Sequence, residues 1–431
     1  MRRFLKTIPV AAILITGMCI SASAQDVWRG GSAYSHFGIG VPHDFKSSYA
    51  SGMGVQGVAL HDSRIPGLAN PAAWSRAIFT NASGAVEIMS YDATSIDTEY
   101  RSTQFQTGPF QVVMPITRDR LGVTLSISPL TSSRFTLQNQ YTLAPEENHS
   151  GNELNYVIQN RGNGGINRLE LGFGYRITSN FSVGYAPSLL LGNIQRHQTV
   201  FFDNTDYRPT NLRESTSHYG FGNRFGIYYQ QRNAFRQNDR IIFGAMVSLP
   251  VNFVSERKLE SRIDFNDVTI RPPSYYGDGE ATYPLEASAG FSYNINPFIQ
   301  LSTDVLYQNW SDYTNFKGET EDFMKDRIRL GLGGQFVPGR RDAPGFLSNL
   351  IYRLGVSYDT GNLKLSNNDI ETFTIHSGIS IPSSRSNSSI DINAEYGFRG
   401  TEVDGLISER IFALKVSFNL SELMFIQRRL Q

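Results

Sequence analysis

Tyr283 to Trp310 reads YPLEASAGFSYNINPFIQLSTDVLYQNW. After the turn at Asn294-Ile295-Asn296-Pro297, the residues Ile299, Leu301, Thr303, Val305 and Tyr307 alternate with Gln300, Ser302, Asp304, Leu306 and Gln308. A two-residue period of this kind is a strand with one greasy and one wet face. The approaching arm places Ala287, Ala289, Phe291 and Tyr293 opposite Glu286, Ser288, Gly290 and Ser292. Two such arms joined by a tight turn predict an antiparallel hairpin.

The same rule recurs along the chain. Arg168, Glu170, Gly172 and Gly174 alternate with Leu169, Leu171, Phe173 and Tyr175, and Arg327, Arg329 and Gly331 alternate with Ile328, Leu330 and Leu332. Near the end Phe412, Leu414, Val416 and Phe418 stand opposite Ala413, Lys415, Ser417 and Asn419. The polar sets mix charges, small residues and glycines, which suits a wet lumen. Strands of a soluble sandwich usually run five or six residues, whereas many of these run ten or more. Ten residues at ~3.3 Å each, tilted by roughly 40°, rise about 25 Å, the height of the apolar band of an outer-membrane barrel. Short turns at Thr117-Arg118-Asp119, Thr178-Ser179-Asn180, Ala234 to Asp239, Asn294 to Pro297 and Pro382 to Asn387 alternate with longer polar loops. The expected fold is all-β, a transmembrane antiparallel β-barrel of about fourteen strands over residues 82–431.

The leading residues extend this reading. Arg2, Arg3 and Lys6 precede an apolar run from Ile8 to Ile20 and a small-residue site at Ala22-Ser23-Ala24, the layout of a cleaved signal peptide over 1–24. The only cysteine, Cys19, lies inside it. Charged residues are 18% and aromatics 12%, less charge than the roughly 25% of a soluble chain. Removing the leader takes three bases and no acid from a chain of formal net charge 0, so the mature chain is slightly acidic and has no general affinity for nucleic acid. The expected location is the bacterial outer membrane, in contact with its lipid, as a monomer. Fourteen strands enclose more space than wall side chains fill. Residues 25–81 are rich in Gly, Ala, Ser and Pro, lack alternation, yet contain Val58-Ala59-Leu60 and Leu68 to Trp74; they are expected to be a plug within the lumen.

Several of these stretches resemble the FadL/TodX outer-membrane transport proteins, in particular the Bacteroidetes-type members. The resemblance rests on Gly52-Met53-Gly54-Val55-Gln56-Gly57-Val58-Ala59-Leu60 followed by Asn70-Pro71-Ala72, and on Gly162 to Arg168 leading into Asn180-Phe181-Ser182-Val183-Gly184. Pro284, Gly290, Tyr293, Asp304 and Trp310 of the opening hairpin are a third match. Ser63 and Arg64 depart from the acidic stretch expected after Leu60, and the chain ends in Gln431 without a terminal aromatic. The resemblance implies passive uptake of hydrophobic small molecules such as long-chain fatty acids or hydrocarbons, with Gly52, Gly54, Asn70, Pro71 and Ala72 in the plug.

One feature of the wall fits that implication. Leu121, Val123, Leu125 and Ile127 alternate until Ser128-Pro129-Leu130, after which Phe135 and Leu137 resume the pattern. Proline cannot donate to a ladder and sits at bulges or breaks, so Ser128, Pro129 and Leu130 mark either a lateral opening for exit into the membrane or a bulge near the rim. The seven histidines have no metal-ligand spacing, and no cofactor or metal is expected. His376 shares a polar face with Ser380, so a Ser/His pair on the wall is a third, enzymatic reading. Beside transport stands the alternative of a non-transporting barrel in a protein secretion or surface-assembly system.

Overall fold

The hairpin at 283–310 forms with Ala287 opposite Tyr307 and Gly290 opposite Asp304, and a bulge at Asn294/Asn296 closes its turn. Gln300, Ser302, Asp304, Leu306 and Gln308 are buried, whereas Leu301 and Val305 are exposed. Polar residues inside and apolar residues outside is the reverse of a soluble protein. It is the arrangement demanded when the outer solvent is lipid.

The computed structural model describes residues 30–422, apart from 45, 62–66, 97, 145–152, 204–206, 266–267, 271–273, 340–344 and 385. The expected leader, Cys19, Ser63 and Arg64 lie outside the described residues. The wall crosses fourteen times and closes into one antiparallel barrel. Its strands are β1 (Thr80–Thr94), β2 (Glu99–Thr117), β3 in two pieces (Leu121–Pro129 and Phe135–Leu143), β4 (Leu154–Arg176), β5 (Phe181–Phe202) and β6 (Thr210–Arg232). Then follow β7 in two pieces (Arg240–Ser248 and Val251–Phe265), β8 in two pieces (Tyr275–Tyr283 and Glu286–Asn296), β9 (Ile299–Gln308) and β10 (Arg327–Phe336). The last four are β11 (Ile351–Asp359), β12 (Thr372–Pro382), β13 (Ser389–Arg399) and β14 (Ser408–Glu422), which pairs back onto β1 with Thr80 opposite Glu422. Pro250 and Pro284 fall at the breaks of β7 and β8, where a missing N–H interrupts the ladder.

The wall is uneven in height. β4, β5 and β6 have 23, 22 and 23 residues, against 10, 10 and 9 in β9, β10 and β11. On β4 the outward residues Leu169, Leu171, Phe173 and Tyr175 form the apolar belt; beyond them Asn167, Asn163 and Arg161 are exposed and polar. The part of β4 above Leu169, about 15 residues at ~3.3 Å and roughly 40° of tilt, therefore rises some 40 Å beyond the belt. Cross-strand stacking of Tyr141 on Tyr156 (5.3 Å) and of Tyr156 on Phe202 (6.0 Å) braces this projection.

The lumen is drier than its polar residues suggest. Ser417, Asn393, Asp391 and Glu170 face inward, and each is at most 2% exposed because residues 30–77 lie against them. A lumen-facing position is therefore not a free place for a charge, and arginine at Ser417 would be as unwelcome as in lipid. The clean contrast is with height along the outer face. Leu171→Arg should cost about 2–4 kcal/mol in a folding titration in lipid, and Thr103→Arg, exposed on β2 above the belt, less than about 0.5 kcal/mol. Equal costs would place the belt elsewhere.

Candidate functional site

Residues 30–77 run down the lumen from the long-loop end to the short-turn end. At the top Ser32 donates its hydroxyl to Glu409 (2.7 Å), and Tyr34 donates to the Ile407 carbonyl. Val41–Pro42 then pairs as a short strand with Thr131–Ser132. A single helical turn, Ser48–Ser51, is capped by Ser47, whose Oγ accepts from the Ala50 N–H at 3.2 Å. Next the Gly57 N–H donates to Asp304 (2.8 Å). Asn70 donates through Nδ2 to the carbonyls of Val58 and Ile227 (both 2.9 Å), and its Oδ1 accepts from the Ala72 N–H (3.0 Å). At the bottom Trp74 lies flat against β4, where a Cβ on Gly172 would come within 1.8 Å of its ring. Pro71 and Ala72 press equally closely on Gly184. The glycines on the wall's inner face are thus the seats of this segment.

Charge fixes its middle. Asp44 meets Lys46 (3.0 Å), Arg327 (2.9 Å) and Arg329 (3.2 Å), and Arg327 also bonds Asp359 through a fork of contacts at 2.5–3.0 Å. Burial by itself would raise the Asp44 carboxyl, but Lys46, Arg327 and Arg329 hold it well below its ordinary value. Its stabilising charge is present above the ordinary carboxylate range and is lost only as pH falls through the lowered value. Around this cluster is a cavity of about 150 Å³, lined by charged groups including Lys46, Glu87, Glu395, Arg399 and Lys415. Towards the long loops, Tyr34, Ile39, Leu130, Ile166, Leu190 and Trp310 close into an apolar core with their neighbours.

The third strand leaves the wall where the sequence breaks. Ser128 and Pro129 still pair with Arg168 and Asn167 of β4. Leu130 then turns inward, 2% exposed, and donates its N–H to the Ile166 carbonyl at 2.7 Å. When the strand resumes at Phe135 it pairs with β4 alone, and β2 pairs with β3 only from Phe110 to Thr117. Between Glu99–Thr107 and Phe135–Leu143 no ladder joins the two strands among the described residues. Arg134 reaches across to the Phe105 carbonyl (3.0 Å), and behind it the Gly31 N–H donates to Ser102 (3.1 Å) and Ser133 to the Ser35 carbonyl (3.2 Å). The interruption starts level with Asn167, at the upper edge of the apolar belt and not at its middle.

His376 stands in a constellation that single-strand periodicity does not reveal. Ser357 Oγ lies 2.9 Å from His376 Nε2, and His376 Nδ1 lies 3.5 Å from Glu395 Oε1. Nucleophile, base and acid are here in the order that acyl transfer uses. The partner is Ser357 on β11, not Ser380, whose hydroxyl donates to Asp391. Gly54 rests directly on the imidazole, since a Cβ there would come within 2.5 Å of Cδ2, and the ring is 1% exposed. The inner segment covers the approach that a substrate would need.

Of the residues singled out from the sequence, Gly52, Gly54, Asn70, Pro71 and Ala72 lie in the inner segment, and Ser128, Pro129 and Leu130 at the departure of β3. Gly54 has φ +69° and gives its carbonyl to Arg329 (3.0 Å). It faces Gly331, whereas Asn70 sits some way off at Gly226. Sequence reading placed Arg327 and Arg329 only as inward residues of a strand and passed over their partners, Asp44 of the inner segment and Asp359 at the end of β11, whose only signal was their charge.

Comparison with known proteins gives a family and a fold. The BamG family model matches residues 4–431. No curated protein matches the chain. Among solved structures, a Pseudomonas aeruginosa FadL homologue aligns with TM-score 0.56 at 12% identity, covering 89% of this chain and 99% of that one. The toluene transporter TodX of Pseudomonas putida aligns with TM-score 0.51 at 13% identity, covering 82% and 93%. At such identities the likeness is one of fold.

Removing Asp44 should free the middle of the inner segment. Asp44→Asn takes the ion-pair partner from buried Arg329 and Lys46, while Arg327 keeps Asp359, and breaking a buried pair costs about 3–5 kcal/mol. A cysteine pair at Ser51 and Lys415, whose side chains meet at 3.1 Å, should be joined by a short thiol cross-linker in otherwise native protein and less completely in Asp44→Asn. Failure of the pair to join at all would remove the segment from the lumen.

Proposed function

Because the chain belongs to the BamG family and the described residues of 30–77 are seated along its lumen with only a small charged cavity beside them, we propose that it works as a non-transporting outer-membrane barrel within a protein secretion or surface-assembly system. The observation that carries this reading is the seating of residues 30–77, which bond or pack against inward groups of β14, β13, β10, β9, β6, β5 and β4 in turn. A drug-sized apolar ligand needs a pocket of roughly 300–1,000 Å³. The cavity here is about 150 Å³ and charged, and the apolar space near the mouth is taken up by the chain's own side chains. What such a barrel offers instead is surface, above all the tall sheet of β4, β5 and β6 beyond the apolar belt.

Depleting the protein should reduce the amount of other outer-membrane and surface proteins that reach the envelope, read by quantitative proteomics of washed membranes, while uptake of a labelled fatty acid stays at the parental rate. Loss of fatty-acid or hydrocarbon uptake with an unchanged envelope proteome would reverse the assignment.

One observation favours a second reading, passive uptake of hydrophobic compounds such as long-chain fatty acids or hydrocarbons. It is the departure of β3 at Ser128-Pro129-Leu130, which leaves β2 and the upper piece of β3 unpaired with each other. A solute would enter beneath the long loops, displace residues near Asn70-Pro71-Ala72, and leave sideways, so avoiding exposure to water at about 0.8 kcal/mol per CH₂. On this reading Pro129→Val, which restores a ladder donor, should slow import of such a solute without loss of folded barrel. Import at the parental rate would discard lateral exit at this place.

A further inference from the structure

The short-turn rim is basic along one arc. Three turns adjoin there, Thr117–Leu121, Arg176–Phe181 and Arg232–Arg240, since the lower piece of β3 pairs with β4 and β5 pairs with β6. They are tied into one surface: the Arg176 N–H donates to the Arg120 carbonyl (2.8 Å), Arg76 to the Ser179 carbonyl (2.9 Å), and the Gln230 N–H to the Asn180 carbonyl (2.8 Å). Six arginines and two aspartates stand on these three turns, with Arg76 of the inner segment buried behind them, whereas the whole chain balances 39 bases with 39 acids. Both aspartates are already engaged. Asp119 pairs with Arg176 (2.5 Å) and Arg76 (3.8 Å). Asp239 accepts from the N–H groups of Ala234, Phe235 and Arg236 at 2.7, 3.0 and 2.9 Å, which holds the longest turn rigid. Arg118, Arg120, Arg232 and Arg236 are left exposed, with no acidic partner among the described residues.

Two features say what these arginines face. Every base on the arc is arginine, whose planar fork matches a phosphate in two-point contact better than lysine does. Lipid-facing aromatics border the exposed arginines. Arg120 lies 5.8 Å from the ring centroid of Tyr175, the end of the outward apolar row of β4. Phe235 is 75% exposed and packs edge-on at 6.0 Å against Tyr293 near the end of β8. Ile177 and Ile116 are exposed beside them. The free charges therefore sit where the apolar belt ends, at the depth of lipid phosphodiesters. We infer that this arc, with Arg118, Arg120, Arg232 and Arg236 as its ligands, binds the phosphate of anionic phospholipids in the leaflet next to the short turns, with Phe235 and Ile177 against their acyl chains.

The full-length protein, purified in detergent, can be titrated with phosphatidylglycerol or with phosphatidylcholine of the same chains and the bound lipid read by native mass spectrometry. Phosphatidylglycerol should bind roughly thirtyfold more tightly, as expected if two of the arginines gain a charged partner near the surface. Inorganic phosphate in large excess should not displace it. Replacing Arg118, Arg120, Arg232 and Arg236 together by Gln should abolish the preference while the barrel keeps its heat-modifiable migration on a gel. If that variant does not fold, Arg118→Gln with Arg236→Gln, both at turn tips, should lower the preference by itself. Equal binding of the two lipids, or a preference that survives these substitutions, overturns the inference. Displacement by inorganic phosphate overturns it too, by assigning the arc to free phosphate. So does a variant that loses a bound acidic protein but not the lipid preference.

Discussion

A closed sheet of fourteen strands satisfies its backbone without an edge, but it encloses a void that its own inward side chains cannot fill. The rest of this structure answers that void. Small residues on the wall's inner face make room for a second layer of chain, so that Trp74 can lie on Gly172 and Pro71 on Gly184. With water displaced, every inward charge must find a partner, since an unpaired buried charge costs several kcal/mol. Asp44 against Arg327 and Arg329, Glu170 against Arg224, and Glu409 against Arg399 are the result. Packing and electrostatics here express one constraint.

That constraint explains what could be read from the residues and what could not. Alternation is local, and it placed Leu171, Val416 and Ile328 outside and Gln300, Arg327 and Ser417 inside, with strands and short turns near their positions in the structure. Depth is not local. On β4 the apolar face stops visibly at Asn167, where Asn167-Arg168 interrupts the alternation, but the residues do not say that the strand and its neighbours continue as paired wall beyond it. Partnership is less local still: Arg327 and Asp44 are 283 residues apart, and a polar position reads alike whether it touches water or a second layer of chain. Hence Ser417 reads as wet and is dry, and the serine beside His376 is Ser357 of the neighbouring strand, which the face shared by His376 and Ser380 does not reveal.

The departure of β3 combines both levels. Pro129 was legible as a break, but its height and its consequence were not, because Leu130 to Ser133 take their partners from Ile166, Gly164 and the Val41–Pro42 strand. The strand is drawn inward by the inner segment, and the gap it leaves is backed by that same segment at Gly31 and Ser35. In a membrane an open strand edge is costly. Above the belt, water can satisfy the free backbone groups of β2, so the interruption is tolerable where it stands.

The hydroxyl of Ser32 bonds Glu409, 377 residues further along. The first described residues are thus held by the last strand to be made, whereas Val41–Pro42 and Asn70 to Trp74 already find seats on β3 to β6. Closing a loop of this length carries a larger entropic cost than pairing neighbouring strands, and contacts so distant in sequence form late. The seating of Ser32 and the meeting of β1 with β14 therefore wait on the same strand, so that the top of the inner segment is secured only as the barrel closes.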